Sequence, residues 1–375
     1  MSRISTQTAG IPVHTAGGNY TVRVGQGLLQ TLSAQLRRTG LAAGKLFVVT
    51  SPEKWALWHQ QFLASFPSSK ETPCVLLLPA GERYKRLSHV EKLAEELVQA
   101  GARRDSLLIA FGGGVVGDLT GFLAAIYMRG IPFVQIPTTY LAQIDSSVGG
   151  KTGVNLRVGK NLIGSFHQPA TVIVDPQLLA TLPPRELRAG IMESIKAAIL
   201  GDAALFAWLE KNADAMLRGD LDALSYAIRA SIRIKAKIVS ADERESGQRM
   251  LLNLGHTIGH AIESATQYRI LLHGEAVAWG MIAAIRLAVT RSALTIKDAQ
   301  RIERMIDRFG TLPRFTASAK RLLDLTAADK KNRTGTRNFI VPVKIGKCVV
   351  ATDVTTQEIL EAIQNLLQVV QERGA

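Results

Sequence analysis

Residues 106–118 read SLLIAFGGGVVGD and give the clearest indication of the architecture of this chain. An apolar run with the character of a buried strand leads directly into a glycine-rich turn that matches G-x-G-x-x-G. Glycines in such a turn let the backbone approach a pyrophosphate, and the helix that follows offers N–H groups and the positive end of its dipole. The stretch therefore predicts a strand, a turn and a helix that could hold a nucleotide.

The glycine turn alone leaves two interpretations open. It is not at the first strand of the chain, and no acidic residue follows about 20 positions later, as is usual for dinucleotide sites. A tight turn that lets the helix pack closely on the strand is the alternative. Two further strand ends favour a ligand, because one carries Glu82 and Lys85 and the other carries Thr138 and Thr139. Three polar strand ends indicate one extended cofactor.

The rest of the first half continues the alternation of strands and helices. Short apolar runs predict buried strands at residues 45–50, 75–78, 106–111, 133–136 and 171–174. A helical repeat spans residues 87–97. Apolar strands that alternate with helices are typical of a mostly parallel sheet covered on both faces.

From about residue 184 the pattern becomes mainly helical. Helices are predicted at residues 186–200, 204–217, 221–239, 255–265, 274–291, 299–309 and 356–370, with a β pair at 339–343 and 348–351. We therefore predict an α/β nucleotide-binding domain over residues 1–183 and a mainly α-helical metal- and substrate-binding domain over residues 184–375. Ligands of open α/β sheets bind beyond the carboxyl ends of the strands, so we expect the site in the cleft between the halves.

The composition limits the classes of partner. The 375 residues are 47% hydrophobic and 20% charged, which is ordinary for a globular protein. The net charge of +14 permits nucleic acid, a membrane surface or anionic small molecules as partners. Because the charge is spread and neither nucleic-acid motifs nor long apolar runs occur, we expect no nucleic-acid and no membrane partner. Two cysteines and no signal-peptide pattern favour the cytoplasm.

A candidate anion site lies in residues 145–152, which read DSSVGGKT and are followed by Gly159 and Lys160. The segment resembles a phosphate loop but lacks its spacing. Lysines beside glycines can bring an ammonium group and backbone N–H groups to one anion. Flexible loops with solvated lysines are the alternative.

A candidate metal site begins in residues 255–263, GHTIGHAIE, which place His256 and His260 on one helix face. His273 follows 17 residues after His256, and Glu193 lies in an otherwise apolar helix, where an unpaired carboxylate is costly. One glutamate and two histidines with an open position are typical of catalytic zinc. For each histidine alone, a hydrogen-bonded core residue is the alternative.

Taken in order, these segments resemble the 3-dehydroquinate synthase family of the sugar phosphate cyclases. The resemblance is most specific in residues 145–169 and 253–263. It rests on residues 79–85, 112–118, 127–130, 137–139, 145–169, 242–245, 251–263, 273–275 and 329–331. It implies an NAD- and zinc-dependent lyase, with Co²⁺ as a possible substitute. The implied reaction turns the phosphorylated sugar acid 3-deoxy-D-arabino-heptulosonate 7-phosphate into 3-dehydroquinate and phosphate through transient oxidation, phosphate elimination, re-reduction and intramolecular aldol closure.

The resemblance also implies a role for individual residues. The metal ligands would be Glu193, His256 and His273. The catalytic residues would be His260, Lys196, Asp145 and Glu245. The substrate would contact Arg129, Lys151, Asn161, Lys235, Arg249, Asn253 and Lys331. NAD would contact Glu82, Lys85, Gly114, Val115, Val116, Gly117, Asp118, Thr138, Thr139, Lys160 and Thr181. Arg129 would reach the site of a neighbouring subunit, which implies a homodimer.

Two alternatives to this function stay open at this point, and one to the role of two residues. Another sugar phosphate cyclase would act on a substrate without a carboxylate. A zinc-dependent, glycerol-type dehydrogenase would reduce NAD in net terms, whereas the synthase reaction regenerates it. For Lys235 and Arg249, read without the resemblance, solvated surface charge is the alternative to a role in binding.

Overall fold

The structure is a computed structural model that describes residues 9–41, 44–68, 71–245, 247–327 and 338–373. The strands are β1 (Ala9–Thr15), β2 (Gly18–Val24), β3 (Leu46–Thr50), β4 (Cys74–Leu77), β5 (Leu107–Gly112), β6 (Phe133–Pro137), β7 (Lys151–Leu156), β8 (Gly159–Phe166), β9 (Thr171–Val174), β10 (Phe339–Lys344) and β11 (Lys347–Ala351). The α-helices are α1 (Leu32–Arg38), α2 (Pro52–Ala64), α3 (Leu87–Gln99), α4 (Gly114–Ile126), α5 (Pro184–Gly201), α6 (Ala203–Leu217), α7 (Leu221–Ala241), α8 (His256–Ala265), α9 (His273–Thr290), α10 (Ile296–Arg308), α11 (Ala319–Ala327) and α12 (Thr356–Arg373).

The chain divides into two compact units. The first comprises Met1–Leu182 and Leu224–Glu243, and the second comprises Pro183–Ala223 and Arg244–Ala375. Most of α7 thus belongs to the first unit. Among the described residues, no helix is both long enough and apolar enough to pass through a bilayer.

The first unit is built on a seven-stranded sheet with the order β1-β2-β9-β6-β5-β3-β4. Strand β1 pairs antiparallel with β2, and every other neighbouring pair is parallel. The prediction of a mostly parallel α/β sheet followed by a mainly helical part is confirmed.

Each face of this sheet carries its own apolar core. Successive side chains of a strand point to opposite faces. Phe47 and Val49 of β3 accordingly pack in a cluster with buried residues of α3 and α4. Leu46 and Val48 pack in a second cluster with α1 and α2. Burial on both faces explains why the strands read as uninterrupted apolar runs instead of alternating patterns.

The order of the strands places a ligand site at the end of β5. Strand β3 is followed along the chain by its neighbour β4, whereas β5 is followed by β6 on its other side. The connections from the adjacent strands β3 and β5 therefore leave in opposite directions, and a crevice forms beyond their carboxyl ends. The turn at Gly112–Gly113 stands at this point, directly before α4.

The second unit consists of helices around α9, with the small sheet β10–β11. Helix α9 is apolar on all sides, because nearly all of its residues are buried, and α5, α8, α10 and α12 pack against it. A helix that is hydrophobic all round belongs at the centre of a helical domain. Both α5 and α8 carry candidate metal ligands, so their packing on α9 positions the site.

Candidate active site

The three predicted metal ligands lie together in the second unit. Glu193 is in the middle of α5, and His256 and His273 are the first residues of α8 and α9. The Nε2 atoms of His256 and His273 lie 3.8 Å and 3.9 Å from Glu193 Oε1. Ligand atoms of these three residues all lie within 4.8 Å of one another, so one ion can contact all three.

Both histidines present Nε2 to Glu193 because Nδ1 has another partner. His256 Nδ1 lies 3.2 Å from the carbonyl oxygen of Leu254. His273 Nδ1 lies 3.3 Å from Glu263 Oε2. A ring nitrogen that donates its proton to an acceptor leaves the other nitrogen as the metal-binding atom.

The environment of Glu193 fits a divalent cation. Its side chain is 2% exposed, and neither carboxylate oxygen accepts a hydrogen bond from the described residues. The Lys196 ammonium group lies next to Oε2 and is the one cation that α5 places there. Lys196 thus partly compensates Oε2, whereas Oε1 faces the two histidine Nε2 atoms without a hydrogen bond from the described part of the chain, and a cation bound there would satisfy it.

His260 lies beside the candidate ligands, and the pKa of the ligand His273 is shifted. The ring of His260 lies 5.2 Å from that of His256 and 6.0 Å from that of His273, between ring centroids. Burial lowers the pKa of His273, but its hydrogen bond to Glu263 and the charges of Glu263 and Glu193 outweigh burial and raise the pKa above its ordinary value. A metal cation on Nε2 would satisfy the same negative charges.

Glycines bring the three ligand-bearing helices close together. A Cβ on Gly274 would lie 1.8 Å from the carbonyl oxygen of Ala189 in α5. A Cβ on Gly280 would lie 1.9 Å from the carbonyl oxygen of Gly255, just before α8. Only glycine allows these backbones to approach so closely, and the approach sets the separation of the ligands.

Of the other predicted site residues in the second unit, Asn253 and Glu245 contact each other and Arg249 is buried. Asn253 Nδ2 donates to Glu245 Oε1 over 2.7 Å. Arg249 is 3% exposed, so the alternative that it is solvated surface charge is wrong. Lys331 lies outside the described residues.

In the first unit, predicted cofactor and substrate residues share one hydrogen-bond network. Lys85 is 3% exposed and its Nζ lies 2.5 Å from Asp118 Oδ2 and 2.6 Å from Asn161 Oδ1. Asn155 donates to Glu82 over 2.7 Å and accepts from the backbone N–H of Asn161 over 2.8 Å. Burial raises the pKa of Asp118, against the opposing effect of the Lys85 ammonium group.

Asp145 and Lys235 form a second pair in the first unit. Lys235 Nζ donates to Asp145 Oδ1 over 2.6 Å and to its carbonyl oxygen over 2.5 Å. Asp145 lies in a π-helical turn, Ala142–Ser146, a distortion that is frequent at functional sites. Lys235 is 9% exposed, so it too is not a solvated surface lysine.

The structure confirms the packing interpretation of the glycine turn, and the ligand-binding interpretation stays a prediction. Gly117 is needed for packing, because a Cβ there would lie 2.5 Å from Gln135 Oε1. Gly114 and Val115, at the partly buried start of α4, offer backbone N–H groups. The buried hydroxyls of Thr138 and Ser146 have no hydrogen-bond partner among the described residues. Such donors around a helix N-terminus fit the diphosphate of NAD.

The remaining predicted residues of the first unit lie in hydrogen bonds, in the core or on a hairpin. Thr139 Oγ1 accepts from the backbone N–H of Ala142 over 3.2 Å, and Thr181 Oγ1 accepts from Trp58 over 3.1 Å. Val116 is buried in the core cluster and could meet a ligand only through its backbone. Lys151 and Lys160 lie on the strands of the antiparallel hairpin β7–β8 and not on loops, but Lys151 is exposed and Lys160 partly exposed, as the alternative of solvated lysines expects.

Backbone strain marks several of these residues. Among the described non-glycine residues, seven have positive φ, and three of them are predicted site residues: Arg129 at 66°, Asn161 at 53° and Glu245 at 59°. Positive φ is unfavourable for residues with a Cβ and is concentrated at functional sites.

Sequence reasoning did not assign Glu263 or Asn155, which contact candidate site residues directly. A signal for Glu263 existed, because it follows His256 by seven residues and therefore lies on the same helix face two turns later. Asn155 had none, since its contacts depend on the pairing of β7 with β8.

Comparison with known proteins adds independent information. A family model described as 3-dehydroquinate synthase N-terminal matches residues 75–189, and one described as 3-dehydroquinate synthase C-terminal matches residues 190–332. A 3-dehydroquinate synthase of Koribacter versatilis is 42% identical over 356 residues, which are 95% of this chain and 97% of that protein. One of Solibacter usitatus is 48% identical over 330 residues, 86% of this chain and 90% of that protein.

Solved structures show the same architecture. ValA, the 2-epi-5-epi-valiolone synthase of Streptomyces hygroscopicus subsp. jinggangensis, has NAD⁺ and Zn²⁺ bound; its TM-score is 0.84, with 29% identity over 98% of this chain and all of that one. A 2-deoxy-scyllo-inosose synthase in complex with carbaglucose-6-phosphate, NAD⁺ and Co²⁺ has a TM-score of 0.86, with 26% identity over 95% of this chain and 99% of that one.

Proposed function

The chain belongs to the 3-dehydroquinate synthase family, and from this premise we propose that it converts 3-deoxy-D-arabino-heptulosonate 7-phosphate into 3-dehydroquinate and phosphate. NAD is oxidant and reductant within one turnover, so it acts catalytically. The single observation that carries the proposal is the arrangement of two histidine Nε2 atoms 3.8 Å and 3.9 Å from the buried Glu193 Oε1.

Glu193, His256 and His273 would hold the divalent metal, with Zn²⁺ as the expected ion and Co²⁺ as a substitute. The metal would supply polarisation of a secondary alcohol of the substrate, and NAD would supply a reversible hydride acceptor. His260, beside the two ligand histidines, holds and moves a proton near the reacting oxygens. Lys196, next to Glu193, donates to a substrate hydroxyl.

The two anionic groups of the substrate require cations. Lys151 and Asn161 would hold the phosphate, while Lys235 and Arg249 would face the carboxylate. Lys235 and Arg249 are buried at 9% and 3% exposure, which supports a role in the site over a role as solvated surface charge. Asp145, paired with Lys235, would accept from a substrate hydroxyl. Glu245 would act as an acid/base group and is held by Asn253.

NAD would bind at the strand ends of the first unit. The start of α4 and the unsatisfied hydroxyl of Thr138 support a diphosphate there. Glu82, Lys85 and Asp118 lie in the adjoining network and would contact the remainder of the cofactor.

We also propose that the chain forms a homodimer in the cytoplasm. Arg129 is exposed on a strained turn, where it could reach a neighbouring subunit. Two exposed apolar side chains just before it in the chain, Ile126 at 49% and Met128 at 40%, support a protein contact. Both cysteines are unpaired, which suits a reducing compartment.

A comparison of substrates tests this function. Purified protein with Zn²⁺ and NAD should release phosphate from 3-deoxy-D-arabino-heptulosonate 7-phosphate and not from sedoheptulose 7-phosphate or glucose 6-phosphate, which lack the carboxylate. Turnover of the latter sugars alone would assign the chain to another cyclase reaction. Net formation of NADH from glycerol would assign it to the dehydrogenases.

A further inference from the structure

Glu263 contacts a candidate metal ligand from the side away from the metal position. Its side chain is 5% exposed, and its Oε2 lies 3.3 Å from His273 Nδ1. The other ring nitrogen, His273 Nε2, lies 3.9 Å from Glu193 Oε1. The imidazole thus stands between two buried carboxylates, one on each ring nitrogen.

The two ligand histidines differ in what holds them. His256 Nδ1 contacts a neutral backbone carbonyl, that of Leu254, at 3.2 Å. His273 Nδ1 contacts a carboxylate instead. Since a carboxylate is the stronger acceptor, it fixes the Nδ1–H tautomer more firmly and makes Nε2 a better electron-pair donor.

Burying this carboxylate has a cost that packing alone does not explain. A buried carboxylate destabilises a fold unless it is hydrogen-bonded. Glu263 lies on α8 with its carboxylate beside His260 and His273. Its contact with His273 Nδ1 is one such hydrogen bond, and an apolar side chain at this position would leave Nδ1 without that acceptor.

We propose that Glu263 is a positioning residue for His273, which accepts the Nδ1–H hydrogen bond and thereby sets the orientation and strength of the Nε2 ligand. The inference rests on the metal site of the proposed function. Glu263 is neither one of the three proposed metal ligands nor one of the residues proposed to contact the substrate.

A competing role for Glu263 is that of a ligand. Ligand atoms of His260, Glu263 and His273 also lie within 4.8 Å of one another. In that arrangement His273 would bind through Nδ1 and could not donate to Glu263. The two roles differ in their response to glutamine, whose amide oxygen still accepts a hydrogen bond but binds a metal poorly.

Metal affinity of the full-length protein tests the proposal. We would measure Zn²⁺ affinity by chelator competition and the visible spectrum of the Co²⁺ form for wild type, Glu263→Gln and Glu263→Ala. Loss of an outer partner of a ligand costs about 10–100-fold in affinity, which we expect for Glu263→Ala. Glu263→Gln should lose about 3–10-fold, because it keeps the acceptor without the charge. The Co²⁺ spectrum should keep its ligand number in both.

A matched control is Glu303→Ala in α10. Glu303 is 15% exposed and pairs with Arg286 and Arg373, so its loss perturbs a carboxylate of the same unit without facing a histidine. It should lower the melting temperature and leave Zn²⁺ affinity unchanged.

Two results would overturn the proposal. Unchanged affinity in Glu263→Gln together with a lower melting temperature would reduce Glu263 to a structural residue, even if Glu263→Ala does not fold. Equal, near-complete loss in both variants with a changed Co²⁺ spectrum would make it a ligand. A third variant, His256→Ala, tests the metal site itself. If Glu193, His256 and His273 do not bind the metal, this variant should keep the Zn²⁺ affinity of wild type.

Discussion

Buried cations distinguish the candidate site from the remainder of the basic surface. Lys85 and Lys196 are each 3% exposed, and Lys235 and Arg249 are 9% and 3% exposed. Long charged side chains are almost never buried to this degree without a partner. Lys85, Lys196 and Lys235 have carboxylate partners in their own unit. Arg249 also makes contacts within the protein, and we propose that it faces the substrate carboxylate as well.

Replacement of Arg249 should therefore damage turnover and spare the cofactor. A hydrogen bond to a charged group contributes about 1.5–3 kcal/mol, so Arg249→Ala should lower kcat/KM by about 10–150-fold. Affinity for NAD, measured by fluorescence titration, should stay within about twofold because the expected NAD contacts lie elsewhere. Arg301→Ala is the control, since Arg301 pairs with Glu210 in the same unit. Lost NAD affinity with intact turnover would contradict the assignment.

The metal ligands depend on how closely the helices pack. Gly274 follows His273 directly in α9. It lies against the backbone of α5, the helix that carries Glu193. A side chain at this position cannot be accommodated by a rotamer change, because it would meet a backbone carbonyl.

Gly274→Ala should separate α5 from α9 and weaken the metal site. Overpacking costs about 1–3 kcal/mol, so the melting temperature should fall, and bound Zn²⁺, measured by elemental analysis, should fall with it. Gly10→Ala is a milder control, because its Cβ would lie 3.2 Å from a methyl group of Thr21. Full metal content and unchanged stability in Gly274→Ala would show that the helices have more freedom than we infer.

The end of α7 is tied to the first hairpin by Glu243. Its carboxylate accepts from the backbone N–H of Gly17 over 3.0 Å and from Gln168 Nε2 over 2.7 Å. Burial opposes ionisation, but these hydrogen bonds outweigh it and hold the pKa of Glu243 below its ordinary value. Since the folded-state pKa is lowered, the stabilisation is complete above the unfolded pKa of about 4.3 and is lost as the pH falls through the folded value.

This tie should give a pH-dependent stability difference. The free energy of urea unfolding should be larger for wild type than for Glu243→Gln at pH 7, and the difference should shrink below about pH 4. The exposed Glu91 gives a control variant, Glu91→Gln, which should show little difference at either pH. A difference in unfolding free energy between wild type and Glu243→Gln that grows as the pH falls would refute this role of Glu243.

The elements that sequence predicted best are the uninterrupted apolar strands and the amphipathic helices, because their patterns are local. The hairpin β7–β8 was not predicted, since its three glycines suggest loops. In the structure Gly153 and Gly164 are needed for close approach: a Cβ on either would lie 2.5 Å or 2.1 Å from the facing backbone. The π-helical turn that presents Asp145 has no local signature either.

Across the whole molecule, ion pairs do not explain the net charge of +14, because each pair is neutral. The buried Lys85, Lys196 and Lys235 each have a carboxylate partner. Arg291 and Arg308 pair with Asp353 and Asp214 at the surface, where such pairs contribute little stability. The excess therefore comes from basic residues outside these pairs, which we interpret as a solvated basic surface.

The site itself could be predicted only in part. Spacing suggested His256, His260 and His273, and an isolated acid in an apolar helix suggested Glu193. Their convergence depends on the packing of α5 and α8 against α9, and the pairing of Lys235 with Asp145 joins residues 90 positions apart. Contacts over such separations leave no trace in a local pattern.

The most decisive experiment counts the phosphate released for each NAD molecule present. Purified protein, Zn²⁺ and excess 3-deoxy-D-arabino-heptulosonate 7-phosphate are incubated with NAD below the enzyme concentration, and phosphate and NADH are followed together. We predict many phosphates per NAD, with no accumulation of NADH and with 3-dehydroquinate as the product. One NADH per product, or no phosphate release from this substrate, would contradict the account.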